Sequence, residues 1–304
     1  MTELATSSSA STALAAFAAE LTFGELPTAL VDQAVEAIAE LLRGAAAGWK
    51  DEALEQLFDV VGAVNSAPEV TVIGRHIRLG AGYGACLNAA AAQTASSVAG
   101  RSVERQVSDV VAAAGLAAAE FSEAEAVDLL VGVVAGLEVA ARVAEALGST
   151  HTDRGWRVAG TAGRVGAAVA ACRTLRRSSA EHLAAIAFAA TQAAGFSIGT
   201  GVSVPALVAG RAANDGIESA VVASVGLIGD PLPLEGRRGL LALVSDAADP
   251  SKLADELGTV WQAQRHLAND GAVHDDALFL AALHLSASGD LASVLAEAES
   301  LANR

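Results

Sequence analysis

Three short blocks in the middle of the chain decide its fold: GWRVAGTAG at residues 155–163, TQAAG at 191–195 and AGRAA at 209–213. Small residues recur in these blocks at helical spacing, and such residues let helix backbones approach one another closely. Each block also contains a glycine that can interrupt a helix, so that a ligand could contact bare backbone there. The blocks therefore predict closely packed helices with a candidate binding site at the breaks.

The composition of the 304 residues favours helices over strands. Hydrophobic residues make up 53% of the chain but aromatic residues only 4%, so the apolar side chains are mostly alanine, valine and leucine. Alanine is the strongest helix former, whereas strands prefer β-branched and aromatic residues. The sequence therefore predicts a mainly α protein with a sizeable core.

The charge of the chain argues against a nucleic-acid partner. The net charge is −16 and the sequence pI is about 4.7, so the protein repels phosphate backbones. Cys86 and Cys172 are far apart, lack the spacing of metal ligands and lie in alanine-rich contexts. We expect two buried thiols, a cytoplasmic location, no metal and no cofactor.

Two long uncharged runs, residues 79–100 and 183–210, pass the length test for a membrane span. Both are dominated by alanine, glycine, serine and threonine, and the second contains Pro205. The N-terminus lacks the basic region of a signal peptide. We therefore interpret both runs as buried helices of a soluble protein and expect no membrane partner.

The first third of the chain combines helices with one strand signal. A helix is predicted over residues 28–47, with Asp32, Glu36 and Glu40 on a solvent-facing side. Residues 69–79 alternate valine with polar residues and then turn back, which predicts a single β-hairpin.

Two later helices carry capping signals. Ser122 with Glu125, and Ser178 with Glu181, have the spacing in which the two side chains cap each other's backbone at a helix N-terminus. The first pair predicts a helix that runs to Leu147, where Gly148 ends it.

Other polar stretches are predicted as loops, and the C-terminal region as short helices. Residues 99–108 and 149–157 are the two loops. The helices are predicted over 251–261, 274–285 and 291–302.

Taken together and in order, the blocks resemble the MmgE/PrpD family, which includes 2-methylcitrate dehydratase, cis-aconitate decarboxylase and iminodisuccinate epimerase. The likeness covers roughly residues 12–285. Further matching blocks are LP at 26–27, VTVIGR at 70–75, NAAAA at 88–92 and LEG at 234–236. The resemblance implies a large all-helical domain, a smaller α/β domain and a homodimer with its site near the domain interface.

We expect the second domain implied by the resemblance to be reduced or missing here. Residues 240–304 lack the alternating patterns of strands, although VHDDA at 273–277 resembles one helix of that domain. We predict a disordered tail at 1–10, the helical domain at 11–240 and a short helical remnant of the second domain at 241–304.

The chain departs from the family pattern where the catalytic groups stand. The family's HALDFDDTH stretch is QTASSVAGR at 93–101, and the histidine of its GFHPTG motif is replaced by Arg157. The lysine and histidine of its KxLHAGR motif align with Pro205 and Val208. Proton abstraction beside a carboxylate needs a positioned base and an acid. We therefore expect the ancestral dehydratase or decarboxylase activity to be absent.

The residues at these positions form the candidate site. We predict substrate binding by Gln93, Ser96, Ser97, Arg101, Gln106, Arg157, Thr200 and Arg211, and candidate catalytic roles for Arg101, His151, Asp153 and Arg157. Guanidinium groups, including those of the neighbouring Arg105 and Arg154, could hold an anionic ligand through paired hydrogen bonds.

Each of these assignments has an alternative in which the residue has no functional role. The arginines could instead form ion pairs with Glu104, Asp109 and Asp153, and His151 could be a solvated loop residue. His274 and the two aspartates after it cannot converge on one metal ion from adjacent helical positions.

Two functions remain open at this point. The chain could be a repurposed lyase, isomerase or cyclase of specialised metabolism that binds a small molecule in the ancestral cavity. It could instead be a non-catalytic homologue that acts as a binding or scaffold protein. A homodimer is expected in either case.

Overall fold

The computed structural model describes residues 9–64, 67–98, 103–198 and 203–266, and within them the fold is mainly α, as predicted. The helices are α1 Ala10–Glu20, α2 Thr28–Gly48, α3 Glu52–Val64, α4 Ala81–Val98, α5 Val103–Ser122, α6 Ala126–Leu147, α7 Ser149–Asp153, α8 Ala162–Thr174, α9 Ser179–Thr191, α10 Ser203–Ala223, α11 Leu240–Val244 and α12 Gln262–His266. Single 3-10 turns lie at Phe23–Glu25, Val158–Gly160 and Pro250–Leu253. None of the helices in these ranges combines the length and apolarity needed to cross a bilayer.

The β-hairpin is also confirmed. Strands β1 Val70–Val72 and β2 Ile77–Leu79 pair antiparallel, with Val70 opposite Leu79. Asn88 of α4 fixes the hairpin to the bundle, because its Nδ2 donates to the Thr71 carbonyl at 2.9 Å and its Oδ1 accepts from the Ile73 N–H at 3.0 Å.

Close backbone contact between α6 and α8 explains the small residues of the core. A Cβ placed on Gly136 would lie 2.6 Å from the Gly166 carbonyl oxygen, and one on Gly166 would lie 2.5 Å from that of Gly136. Real Cβ atoms do not approach so closely, so both positions require glycine. Both cysteines are buried, as predicted: Cys172 lies in α8 and Cys86 in α4, where Gly210 of α10 packs against it. Burial raises the pKa of the Cys86 thiol to about 12.

The helix boundaries correct several sequence-based expectations. The loop predicted over 99–108 is wrong from Val103 onward, where α5 begins, and the loop predicted over 149–157 contains α7. The helix predicted over 251–261 is a 3-10 turn followed by further turns. The helices predicted over 274–285 and 291–302 lie outside the described residues.

One capping prediction is confirmed and the other is wrong. The Ser178 N–H donates to the Glu181 carboxylate at 2.8 Å and the Glu181 N–H donates back to the Ser178 hydroxyl at 3.4 Å. Ser122 instead donates to the Ala118 carbonyl inside α5 at 2.8 Å, and α6 begins after Glu125 without a side-chain cap.

The acidic side of α2 is not the solvent face that we predicted. Asp32 is exposed, but Glu36 and Glu40 are buried because α2 packs against α4, α5 and α6. Arg43 forms ion pairs with both glutamates, at 3.7 Å from Glu36. One partly buried cation therefore lies beside both buried carboxylates.

A buried ion pair fastens the last described segment to α6. Glu138 and Arg142 are fully buried, with Oε1 and Nε 2.6 Å apart. Arg142 also donates to the carbonyls of Asp255 at 2.8 Å and Val260 at 2.7 Å. Glu138 accepts the N–H groups of Gln262 at 3.1 Å and of Ala263 at 2.8 Å. The first N–H groups of the five-residue helix α12 are therefore capped by the Glu138 carboxylate of α6.

Candidate functional site

Several predicted site residues lie on elements that meet at one end of the bundle. Helices α4 and α10 run antiparallel, because Gly82 lies against Asn214 whereas Gly210 lies against Cys86. The C-terminal end of α4 is therefore beside the N-terminal end of α10. The 3-10 turn at Val158–Gly160 contacts three helices, α5, α8 and α10.

Main-chain hydrogen bonds join the first two glycine-rich blocks at this end. The Arg157 N–H donates to the Gly195 carbonyl at 3.0 Å, and the Ala194 N–H donates to the Gly160 carbonyl at 3.1 Å. A Cβ on Gly160 would lie 2.0 Å from the Ala194 carbonyl oxygen, so this contact excludes any larger residue. The backbone around position 157 is thus held independently of the side chain it carries.

Arg157 differs from Arg154, Arg164 and Arg211 in that its side chain forms no ion pair or hydrogen bond with any of the described residues. Its Nε is buried without a hydrogen-bond acceptor, and no carboxylate of the described residues lies within 4.0 Å of it. In contrast, Arg154 pairs with Asp246 at 2.7 Å, on the protein surface. Arg157 is therefore a partly buried cation available to a ligand.

Arg211 belongs to a structural cluster. Its exposed guanidinium lies 3.6 Å from Asp215, which is already paired with buried Arg164 at 2.7 Å. Arg164 also donates to the Gln192 carbonyl, and burial lowers the pKa of its guanidinium. The Arg164–Asp215 pair therefore joins α8 and α10, and Arg211 of the third block lies beside it.

Gln93 and Ser96 are buried residues of α4. The Ser96 hydroxyl donates to the buried Asp109 carboxylate of α5 over 3.3 Å. Gln106 lies half-buried at the start of α5, and its neighbour Val107 packs near Gly163. Gln93 and Ser96 thus lie near the C-terminal end of α4 and Gln106 near the start of α5. These two helices contact each other, and α5 also contacts the 3-10 turn.

Four further residues belong to or adjoin the predicted site. Ser97 and Arg105 lie within α4 and α5, and Arg101 and Thr200 fall outside the described residues.

His151 and Asp153 do not form a pair. The buried His151 Nδ1 lies 3.2 Å from the Val244 carbonyl, to which it donates, so Nε2 accepts from the Thr161 hydroxyl at 2.9 Å. Its ring stacks on Trp156, with centroids 6.1 Å apart. Burial lowers the pKa of His151. Asp153 is exposed, and within the described ranges no hydrogen bond joins it to His151.

Sequence reasoning missed a cavity of about 670 Å³ on the side of Trp156. None of the predicted site residues is among those lining it. Its polar wall contains Asp230, Arg237 and Arg238, which follow or precede the LEG block at 234–236. The signal that could have found it is the pair of adjacent arginines directly after that block.

The part of the chain that the structure describes contains no group of three histidine, cysteine or acidic side chains that could hold a metal ion.

A model of the MmgE/PrpD N-terminal domain matches residues 12–253. The match extends from α1 through the 3-10 turn at Pro250–Leu253 and includes all three glycine-rich blocks. A comparison with curated proteins gives no match.

Proposed function

This chain belongs to the MmgE/PrpD family, and from that premise we propose that it binds a small carboxylate-bearing metabolite at Arg157. The observation that carries the proposal is the guanidinium of Arg157, whose buried Nε has no acceptor. A buried donor without an acceptor costs free energy, and an anionic ligand would supply the missing acceptor.

Arginine is suited to this role because its planar group donates two parallel hydrogen bonds to one carboxylate. The whole chain carries a net charge of −16, so its overall field repels anions. Recognition of a carboxylate therefore has to come from a local cation. Among the described arginines of the first glycine-rich block and its neighbours, Arg154 and Arg164 pair with aspartates, whereas Arg157 is open to a ligand.

We further propose that the chemistry at this site is of the lyase, isomerase or cyclase type, without the ancestral dehydratase or decarboxylase reaction. Arginine does not act as a base, because its pKa lies far above physiological pH. It can hold the substrate and stabilise negative charge that develops on it. Gln93, Ser96 and Gln106 would orient a ligand through neutral hydrogen bonds.

A non-catalytic binding or scaffold protein is the second candidate function. It is favoured by His151, because both of its ring nitrogens are engaged within the protein. Its predicted partner Asp153 points to solvent instead. Binding at Arg157 without turnover fits this arrangement.

The homodimer remains a proposal. Exposed Val204, Leu207 and Val222 recur along one side of α10, and a second copy of the chain would cover them. Light scattering coupled to size exclusion would give twice the mass of the 30.3 kDa chain if this is right. A monomer at micromolar concentration would contradict it.

A thermal-shift screen tests the proposed function. Di- and tricarboxylates would be compared with uncharged polycyclic and polyketide-like metabolites on the wild type, Arg157→Ala and the matched surface control Arg154→Ala. A carboxylate at 100 times its Kd should stabilise the fold by about 2.7 kcal/mol. We expect the shift in the wild type and in Arg154→Ala but not in Arg157→Ala.

Two results would overturn the proposal: no carboxylate shifts the wild type, or the shift survives Arg157→Ala. Proton NMR of the protein incubated with each stabilising ligand then separates the two functions, since only an enzyme converts it. Turnover of 2-methylcitrate or cis-aconitate would contradict the expected loss of the ancestral activity.

A further inference from the structure

The cavity beside Trp156 is separate from the place where Arg157 stands. Arg157 has extended backbone angles, with φ −97° and ψ 123°. Adjacent side chains in extended backbone point to opposite sides. Trp156 lines the cavity, whereas Arg157 is not among its lining residues. A ligand in the cavity would therefore use a different set of groups from one bound at Arg157.

The volume of about 670 Å³ suits a small organic ligand, because typical ligand pockets measure roughly 300–1,000 Å³. The walls come from the first glycine-rich block, the end of α9 and the segment 230–244. Two aromatic neighbours hold the Trp156 ring in this wall. The ring stacks on His151 and packs on Phe196, and the Trp156 and Phe196 centroids are 4.2 Å apart.

One part of the wall is cationic. Arg237 and Arg238 are exposed, and neither forms a hydrogen bond or ion pair with any of the described residues. The carboxylate in the wall is that of Asp230, whose Oδ1 accepts the Leu232 N–H at 2.7 Å. Two arginines against one aspartate leave the wall with a positive charge in a protein that is strongly acidic overall.

Most of the remaining wall is apolar and includes large side chains open to solvent. Leu232 is 41% exposed and Leu243 is 62% exposed, and both line the cavity together with the Trp156 ring. A ligand that covers these side chains removes apolar surface from water, which favours binding.

We propose that this cavity is a second ligand site, for an amphipathic monocarboxylate. The aromatic or acyl body would lie against Trp156, Leu232 and Leu243, and the carboxylate would bind Arg237 and Arg238. The site requires nothing from Arg157.

Isothermal titration calorimetry with 3-phenylpropionate and octanoate as probes tests this inference. The uncharged amides of both acids measure the share of the carboxylate. Two variants are compared with the wild type. One carries both Arg237→Gln and Arg238→Gln. The other is Leu243→Glu, which places a negative charge, like that of the ligand, at the mouth of the cavity. Arg265→Gln is the matched control, because Arg265 is also exposed but does not line the cavity.

We expect the wild type and Arg265→Gln to bind at least one acid, and the amides to bind about tenfold or more weakly. The double arginine variant and Leu243→Glu should lose a similar factor, while Arg157→Ala keeps full affinity. The inference is wrong if neither acid binds, if acid and amide bind equally, or if Arg157→Ala abolishes binding and the double arginine variant does not. Because Arg157→Ala is the variant that tests the proposed function, the two ideas fail separately.

Discussion

Arg142 and Arg157 mark two regions of the molecule that use the same side chain in opposite ways. Arg142 is fully buried, paired with Glu138 and bound to the carbonyls of the segment that packs on α6. Arg157 is half-buried, and its Nε has no acceptor. The comparison shows two uses of arginine in this molecule. A guanidinium that is paired with groups of the protein is structural, whereas one without such a pair is available for a ligand.

The largest effect should come from breaking the satisfied region. Arg142→Met leaves the buried carboxylate of Glu138 without its cation, so we expect a loss of about 3–5 kcal/mol in the free energy of unfolding. Guanidinium chloride denaturation measures this. The control Arg154→Ala removes an exposed pair and should cost less than about 1 kcal/mol. Equal losses in the two variants would contradict the contrast between buried and exposed arginines.

Acid should destabilise the buried helices through His182. Its burial in α9 lowers its pKa to about 4, from an ordinary value near 6.5. The native state then resists protonation that the unfolded chain accepts, so stability is complete above pH 6.5 and falls as the pH drops towards 4. The expected loss is about 3 kcal/mol at pH 4.

Urea denaturation between pH 7 and pH 4, on the wild type and His182→Gln, isolates this contribution. The variant should lose less stability on acidification than the wild type. Parallel pH profiles would show that His182 is not the group responsible.

A smaller loss is expected in the turn that carries Arg157. Gly160→Ala places a Cβ against the Ala194 carbonyl, so the two blocks must separate, at a cost of about 1–3 kcal/mol. The variant should also lose the carboxylate-induced thermal shift, because Arg157 is positioned by this contact. Gly24→Ala is the control, since nothing lies within 4 Å of a Cβ there. If both variants melt alike, the close approach at Gly160 is not important for stability.

The smallest effect on stability should come from Arg157 itself. Arg157→Ala removes no ion pair within the described part of the chain, so we expect a change within about 0.5 kcal/mol. Thermal denaturation without ligand measures it. A loss comparable to that of Arg142→Met would mean that Arg157 is structural and would remove the basis of the proposed function.

The elements that the sequence predicts well depend on local chemistry. The capping pair Ser178 and Glu181 and the hairpin at 69–79 were predicted from neighbouring residues and are present. The environment of α2 was predicted wrongly. Periodicity places Glu36 and Glu40 on one side of a helix, but it does not tell whether water or another helix covers that side.

The candidate site shows the same limit. The family resemblance located position 157 correctly within a backbone break, but only the coordinates show that Arg157 lacks a partner and that His151 has two. The cavity was missed because Trp156, Leu232 and Leu243 come from separate segments, and no local pattern links them. The charges of Arg237 and Arg238 were visible in the sequence, but their position beside an apolar wall was not.

The hydrogen bonds that hold the turn at 155–160 have an evolutionary consequence. They join main-chain atoms of Arg157 and Gly160 to Gly195 and Ala194, so they do not depend on which side chain position 157 carries. A single codon change there can replace one functional group by another while the backbone stays in place. A scaffold of this kind can change its ligand without first losing its fold, and in the laboratory Arg157→His is the substitution that would examine this.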